Sequence, residues 1–99
     1  MDFAITALDY KNQLEKRIAN RDAHVKGLTQ AAKNGTLISA GAITNDKGEM
    51  IGSSVHVRFE SRAALDEWLA NEPYVTGNVW ESIDIKTVNL IDVAALKAQ

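Results

Sequence analysis

His24 stands seven residues after Arg17 and three after Arg21, within the stretch NRDAHVKGL that runs from Asn20 to Leu28. Imidazole ordinarily titrates near neutral pH, so a histidine can both take and give a proton in one reaction cycle. Guanidinium groups meet carboxylates through two parallel hydrogen bonds, so arginines beside such a histidine could hold a substrate carboxylate. On a helix the three residues share a flank, with Arg21 inside the apolar arc and His24 at its border. From the border a side chain can reach into a pocket between helix and sheet. The residues alone leave three readings open: a solvated helix face, a structural histidine, and an acid/base centre. Arg17 reads better as half of an ion pair with Asp9 or Glu15.

The rest of the composition narrows the chemistry. A chain of 99 residues has room for one domain, spanning 1–99. Its net charge of −2 offers no basic field for nucleic acid or for an anionic membrane. The absence of cysteine removes disulfides, thiolate metal sites and cysteine nucleophiles, and it suits a reducing compartment. MDFAITALDYK at the start has neither a basic segment nor a long apolar run, so no signal peptide is expected and a cytoplasmic location is. No apolar stretch nears the roughly 18 residues of a membrane span. His24 and His56 lie too far apart for a recognised metal spacing, and no glycine-rich phosphate loop occurs, so neither metal nor cofactor is expected.

The elements that must position His24 follow from periodicity. Phe3, Ile5 and Ala7 alternate with Asp2, Ala4 and Thr6, a short strand with Asp9 at its end. Leu14, Ile18, Val25, Leu28 and Ala32 form one stripe at helical period, and Gly35 stops the helix. Asp22 is a candidate cap, which leaves open one helix or two with a break near Asn20. TLISAGAIT, residues 36–44, is a strand in which Gly41 marks a bulge or a close approach of another group. After the loop NDKGEMIG, Val55, Val57 and Phe59 alternate with Ser54, His56 and Arg58 in an antiparallel strand. Ser61 caps a second helix whose apolar face is Ala64, Leu65, Trp68 and Leu69, and Pro73 ends it. EPYVTGNVW is a connector with room for one helical turn. The last strand runs from Trp80 to Ile91, with Ile83 and Ile85 facing one way and Asp84 and Lys86 the other. The tail VAALKAQ frays or forms a short helix.

The order β-α-β-β-α-β predicts an α+β, ferredoxin-like domain with both helices on one face of a single sheet. The other face must stay polar, hold a ligand or pack on a partner, and a homodimer joined through the sheets is expected. His56 and Asp84 would then face its interior. Trp68 and Trp80 are assigned to the core or the interface.

An ordered set of short runs resembles the YCII-related family: LEKR at Leu14–Arg17, Arg21 with His24, GTLISAG at Gly35–Gly41, GSSVHVRFES at Gly52–Ser61, and EPYV at Glu72–Val75. The resemblance covers Phe3 to about Val88. It implies a dimeric α/β barrel built from ferredoxin-like protomers. It also implies a histidine–carboxylate active site, and a relative that resembles a dehydrochlorinase of a chlorinated, hydroxylated ring. His24 matches the histidine. The acid usually precedes the proline of a D-P-[FY] motif; here Glu72 holds that place, one methylene longer.

On this resemblance His24 and Glu72 are the expected catalytic pair, Glu72 fixing the tautomer of His24 and stabilising its imidazolium. Arg21, Tyr74, Gly41 and Ser53 are the expected substrate-binding residues, with Tyr74 a donor to a developing oxyanion. The expected activity is that of a cofactor-independent lyase or isomerase acting on a small cyclic hydroxylated or carboxylated molecule. The alternatives are a non-catalytic module that binds a small ligand and a purely structural dimer. Partners are then a second copy and a small-molecule ligand, with no nucleic acid and no membrane.

Overall fold

The computed structural model describes all 99 residues. The chain runs β1 (Asp2–Asp9), α1 (Leu14–Lys33), β2 (Leu37–Thr44), β3 (Met50–Arg58), α2 (Arg62–Ala70), α3 (Pro73–Thr76), β4 (Trp80–Val88) and α4 (Val93–Lys97). The strands form one sheet in the order β2-β3-β1-β4, every neighbouring pair antiparallel. This is the α+β, ferredoxin-like arrangement. No helix is long and apolar enough to cross a membrane.

The period-two alternation decides which face is covered. Phe3, Ile5 and Ala7 of β1 lie opposite Val57, Val55 and Ser53 of β3, and all six are buried. The five apolar ones join Leu65 and Leu69 of α2, Tyr74 of α3, Val79 and Trp80 in one core. Burying such side chains stabilises the fold by about 1.5–3 kcal/mol each. The opposite face carries short or polar side chains: Ala4 beside His56 and Lys86, and Thr6 beside Ser54 and Asp84. Leu90–Ala94 lie beside Ser39, His56 and Arg58 at one side of it, and Thr6, Ser54, Asp84 and Lys86 stay exposed.

α1 departs from the apolar stripe that periodicity predicts. It is one unbroken helix; Asp22 sits exposed in its interior, and Asn20 Nδ2 donates to the Lys16 carbonyl. Leu14, Ile18 and Val25 are exposed, Ile18 by 58%. The buried residues are Arg17, His24 and Ala31, two turns apart in succession. His24 is therefore central to the inward face rather than at its border, and Arg21 is exposed. A polar inward face is tolerated because Arg17 and His24 find charged and polar partners elsewhere in the chain.

Elsewhere the local signals act as expected. Ser61 Oγ accepts from Ala64 N and starts α2, and Gly35 leaves α1 in the left-handed region at φ 84°. Pro73 does more than end α2: it opens the one-turn α3, where its fixed φ suits the first helical position. β4 ends at Val88, earlier than the expected Ile91, and Asp92 caps α4.

The close approach expected at Gly41 occurs at Gly52 instead. A Cβ on Gly41 would meet no atom within 4 Å, whereas one on Gly52 would lie 2.3 Å from the Ala7 carbonyl oxygen. That oxygen belongs to the neighbouring strand and cannot swing aside. Gly52→Ala is expected to lower stability by about 1–3 kcal/mol, the usual cost of forcing extra volume into a packed site. Gly41→Ala is expected to leave the isolated chain's stability unchanged. Urea unfolding of the two variants checks both; equal midpoints would show that β1 and β3 separate without cost.

Candidate active site

Glu72 comes between α2 and α3 and caps α3. Its Oε2 accepts from Tyr74 N at 2.5 Å, satisfying one of the free N–H groups that every helix start presents. Its Oε1 meets His24 Nδ1. The acid is thus pinned by both oxygens, and the extra methylene of glutamate spans the cap and the imidazole together. Glu72 is 4% exposed and His24 6%, so solvent does not screen the contact.

The hydrogen-bond network assigns the tautomer. A carboxylate oxygen only accepts, so Nδ1 carries the hydrogen and Nε2 of the neutral ring carries the lone pair. Nε2 has no protein partner and is not sealed off. The His24 ring lies flat on Tyr74, with centroids 3.8 Å apart and planes 10° off parallel, and Trp80 meets it edge-on at 6.2 Å. Burial pushes the Tyr74 hydroxyl above its ordinary pKa, against the pull of Arg17 and Arg21. It remains a protonated donor at neutral pH.

Arg17 is bound more deeply than a surface ion pair. Its Nη1 donates to both carboxylate oxygens of Asp9, at 3.0 and 3.1 Å, and its Nη2 donates to Ser53 Oγ at 2.9 Å. Its guanidinium carbon sits 4.8 Å from the centre of the Tyr74 ring. Trp80 Nε1 donates to the same Ser53 oxygen at 3.2 Å. Asp9, Arg17, Ser53 and Trp80 therefore form one polar chain that abuts the His24–Tyr74 stack.

A cavity of about 170 Å³ opens between α1 and the β2–β3 side of the sheet, bordered by Arg17, Arg21, His24, Gly41, Ser53 and Tyr74. Ala40 and Ala42, opposite Val55 and Ser53, are too small to fill it. Five of the six residues expected in a site border this space, and Glu72 stands behind His24. Gly41 takes part through its backbone alone. Arg21 is at the rim, where no acidic side chain pairs with it. The Asp9–Arg17 ion pair forms as expected; what sequence reasoning missed is that this pair and Trp80 adjoin the site through Ser53. A larger cleft of about 420 Å³ beside Leu8, Tyr10 and Leu14 contains no histidine. No three His, Cys, Asp or Glu side chains cluster as metal ligands would.

Comparisons with known proteins bear on the family and the fold. The model of the YCII-related domain matches residues 1–89. Protein YciI of Escherichia coli O6:H1 is 36% identical over 92 residues, covering 87% of this chain and 94% of that protein. An uncharacterised protein of Haemophilus influenzae is 35% identical, with the same coverage of 87% and 94%. Among solved structures, 5-chloro-2-hydroxyhydroquinone dehydrochlorinase (TftG) of Burkholderia phenoliruptrix AC1100, in complex with 2,5-dihydroxybenzoquinone, superposes with a TM-score of 0.81. It is 21% identical, and the match covers 90% of this chain and 94% of that one. At that identity the likeness is one of fold.

Proposed function

The chain belongs to the YCII-related family, and on that premise we propose that it is a small cofactor-independent lyase or isomerase acting on a small cyclic hydroxylated or carboxylated molecule. The observation that carries this reading is the buried contact of His24 Nδ1 with a Glu72 carboxylate that is itself fixed as the cap of α3. That arrangement holds the imidazole with Nε2 as a base. When Nε2 takes a substrate proton, the carboxylate and the stacked Tyr74 ring stabilise the imidazolium. The proton then goes to a different substrate atom in an isomerisation, or to the leaving group in an elimination.

Size supports the reading. A cavity of about 150 Å³ holds benzene, so about 170 Å³ suits one six-membered ring. TftG, which shares the fold, was solved with such a ring. The exposed sheet face, with its short side chains, favours a homodimer joined there, and a chain without cysteine suits the cytoplasm.

The test is a panel of single-ring hydroxylated and carboxylated compounds, 5-chloro-2-hydroxyhydroquinone among them, followed in D2O for proton exchange and for release of a leaving group. At least one is expected to react with the wild type and not with His24→Asn. Binding without reaction across the panel would identify a ligand-binding module instead. Light scattering should return twice the 10.8 kDa chain mass; a monomer at micromolar concentration would refute the sheet-to-sheet dimer.

A further inference from the structure

Ser53 carries a hydrogen that no protein atom accepts. Its Oγ receives Arg17 Nη2 at 2.9 Å and Trp80 Nε1 at 3.2 Å. Guanidinium and indole N–H groups can only donate, so both lone pairs of the hydroxyl oxygen are filled. Its own hydrogen must therefore be donated, yet the residue is 2% exposed and its remaining neighbour is the cavity. Buried polar groups are satisfied in nearly all folded proteins, so an unused hydroxyl donor beside a cavity points to a ligand acceptor.

We propose that the Ser53 hydroxyl, held by Arg17 and Trp80, forms an oxyanion-recognition site at the inner end of the cavity, taking a single hydroxyl-derived oxygen of a small ring compound. The proposal rests on the reading that this cavity takes the substrate. The two N–H groups that feed the Ser53 oxygen polarise its O–H bond and strengthen it as a donor. A carboxylate fits this end poorly. Binding one bidentately needs two parallel donors, and the Ser53 hydroxyl offers one. A substrate carboxylate would have to use Arg21 at the rim. The division of labour is then plain: His24 removes a proton, and the charge that develops on oxygen is met by the Ser53 hydroxyl, which Arg17 polarises from behind.

The probe is 4-nitrophenol, whose anion is coloured, titrated by absorbance with saturating protein. Wild-type protein is expected to shift the bound phenol towards its anion by about one pH unit, the tenfold effect of a charge-assisted hydrogen bond. Ser53→Ala should lose most of that shift and Ser53→Thr should restore it. A structural role alone would change the melting temperature without moving the ionisation of the ligand. Should Ser53→Ala not fold, the wild type alone decides through a second ligand: 4-nitrophenolate is expected to bind about tenfold tighter than 4-nitroanisole, which cannot ionise. An unchanged shift in Ser53→Ala, or no preference for the anion, overturns the proposal. His24→Asn separates the two readings. It should retain the shift, even if the enzyme panel fails; a shift lost in His24→Asn and kept in Ser53→Ala would assign the anion to the imidazolium instead.

Discussion

Glu72→Gln is expected to cut turnover by about 10³- to 10⁴-fold while leaving the chain folded, as happens when a catalytic histidine is held in the wrong tautomer. The reason lies in the cap. Tyr74 N is a donor and needs an acceptor, so the amide of the variant must turn its oxygen towards Tyr74. Its NH2 then faces His24 Nδ1, and it can only donate. Nδ1 must become the acceptor, and the ring hydrogen moves to Nε2, where the lone pair is required. The variant also loses the negative charge that stabilises the imidazolium. NMR titration of His24 gives a reading independent of any substrate. The curves for wild type and Glu72→Gln are expected to separate; if they superimpose, the two residues are uncoupled and the pair is no catalytic unit, even if His24 acts alone.

The sheet was legible in the sequence because its information is local. Phe3, Ile5 and Ala7, and again Val55 and Val57, announce a buried face by alternation, and Ser61 and Gly35 mark helix ends through their own chemistry. The inward face of α1 was not legible. A count of apolar positions selects Leu14, Ile18 and Val25, which are exposed, and passes over Arg17 and His24, which are buried. The burial of these two is compensated by Asp9, Ser53 and Glu72, and the partners of His24 and Arg17 lie up to 48 residues away. Periodicity within one helix holds no information about such partners. Glu72 was reachable only through resemblance, since an acid before Pro73 reads equally well as a solvated helix end. The strand glycines make the same point. Gly41 and Gly52 are chemically alike, and only the position of the neighbouring strand distinguishes the crowded one from the open one.

Arg17→Ala is expected to destabilise the domain by about 3–5 kcal/mol, the cost of stranding one member of a buried ion pair. Asp9 and Arg17 have side chains about 5% exposed, so neither charge can turn to water for compensation. Removing the guanidinium leaves the Asp9 carboxylate without its bidentate donor and Ser53 without one of its two. Domains of this size are stable by about 5–15 kcal/mol, so such a loss is a large share of the total. The cost arises from the orphaned charge more than from the lost attraction, and this makes a second, sharper expectation. Asp9→Asn should be destabilising for the same reason, yet Asp9→Asn combined with Arg17→Met should be no worse than either single change, because no charge is then left buried. Urea unfolding of the wild type, Asp9→Asn, Arg17→Met and the double variant closes the cycle. Strict additivity of the two single losses would mean that Asp9 and Arg17 are solvated independently, and that the polar chain reaching Ser53 does not hold the floor of the cavity in place.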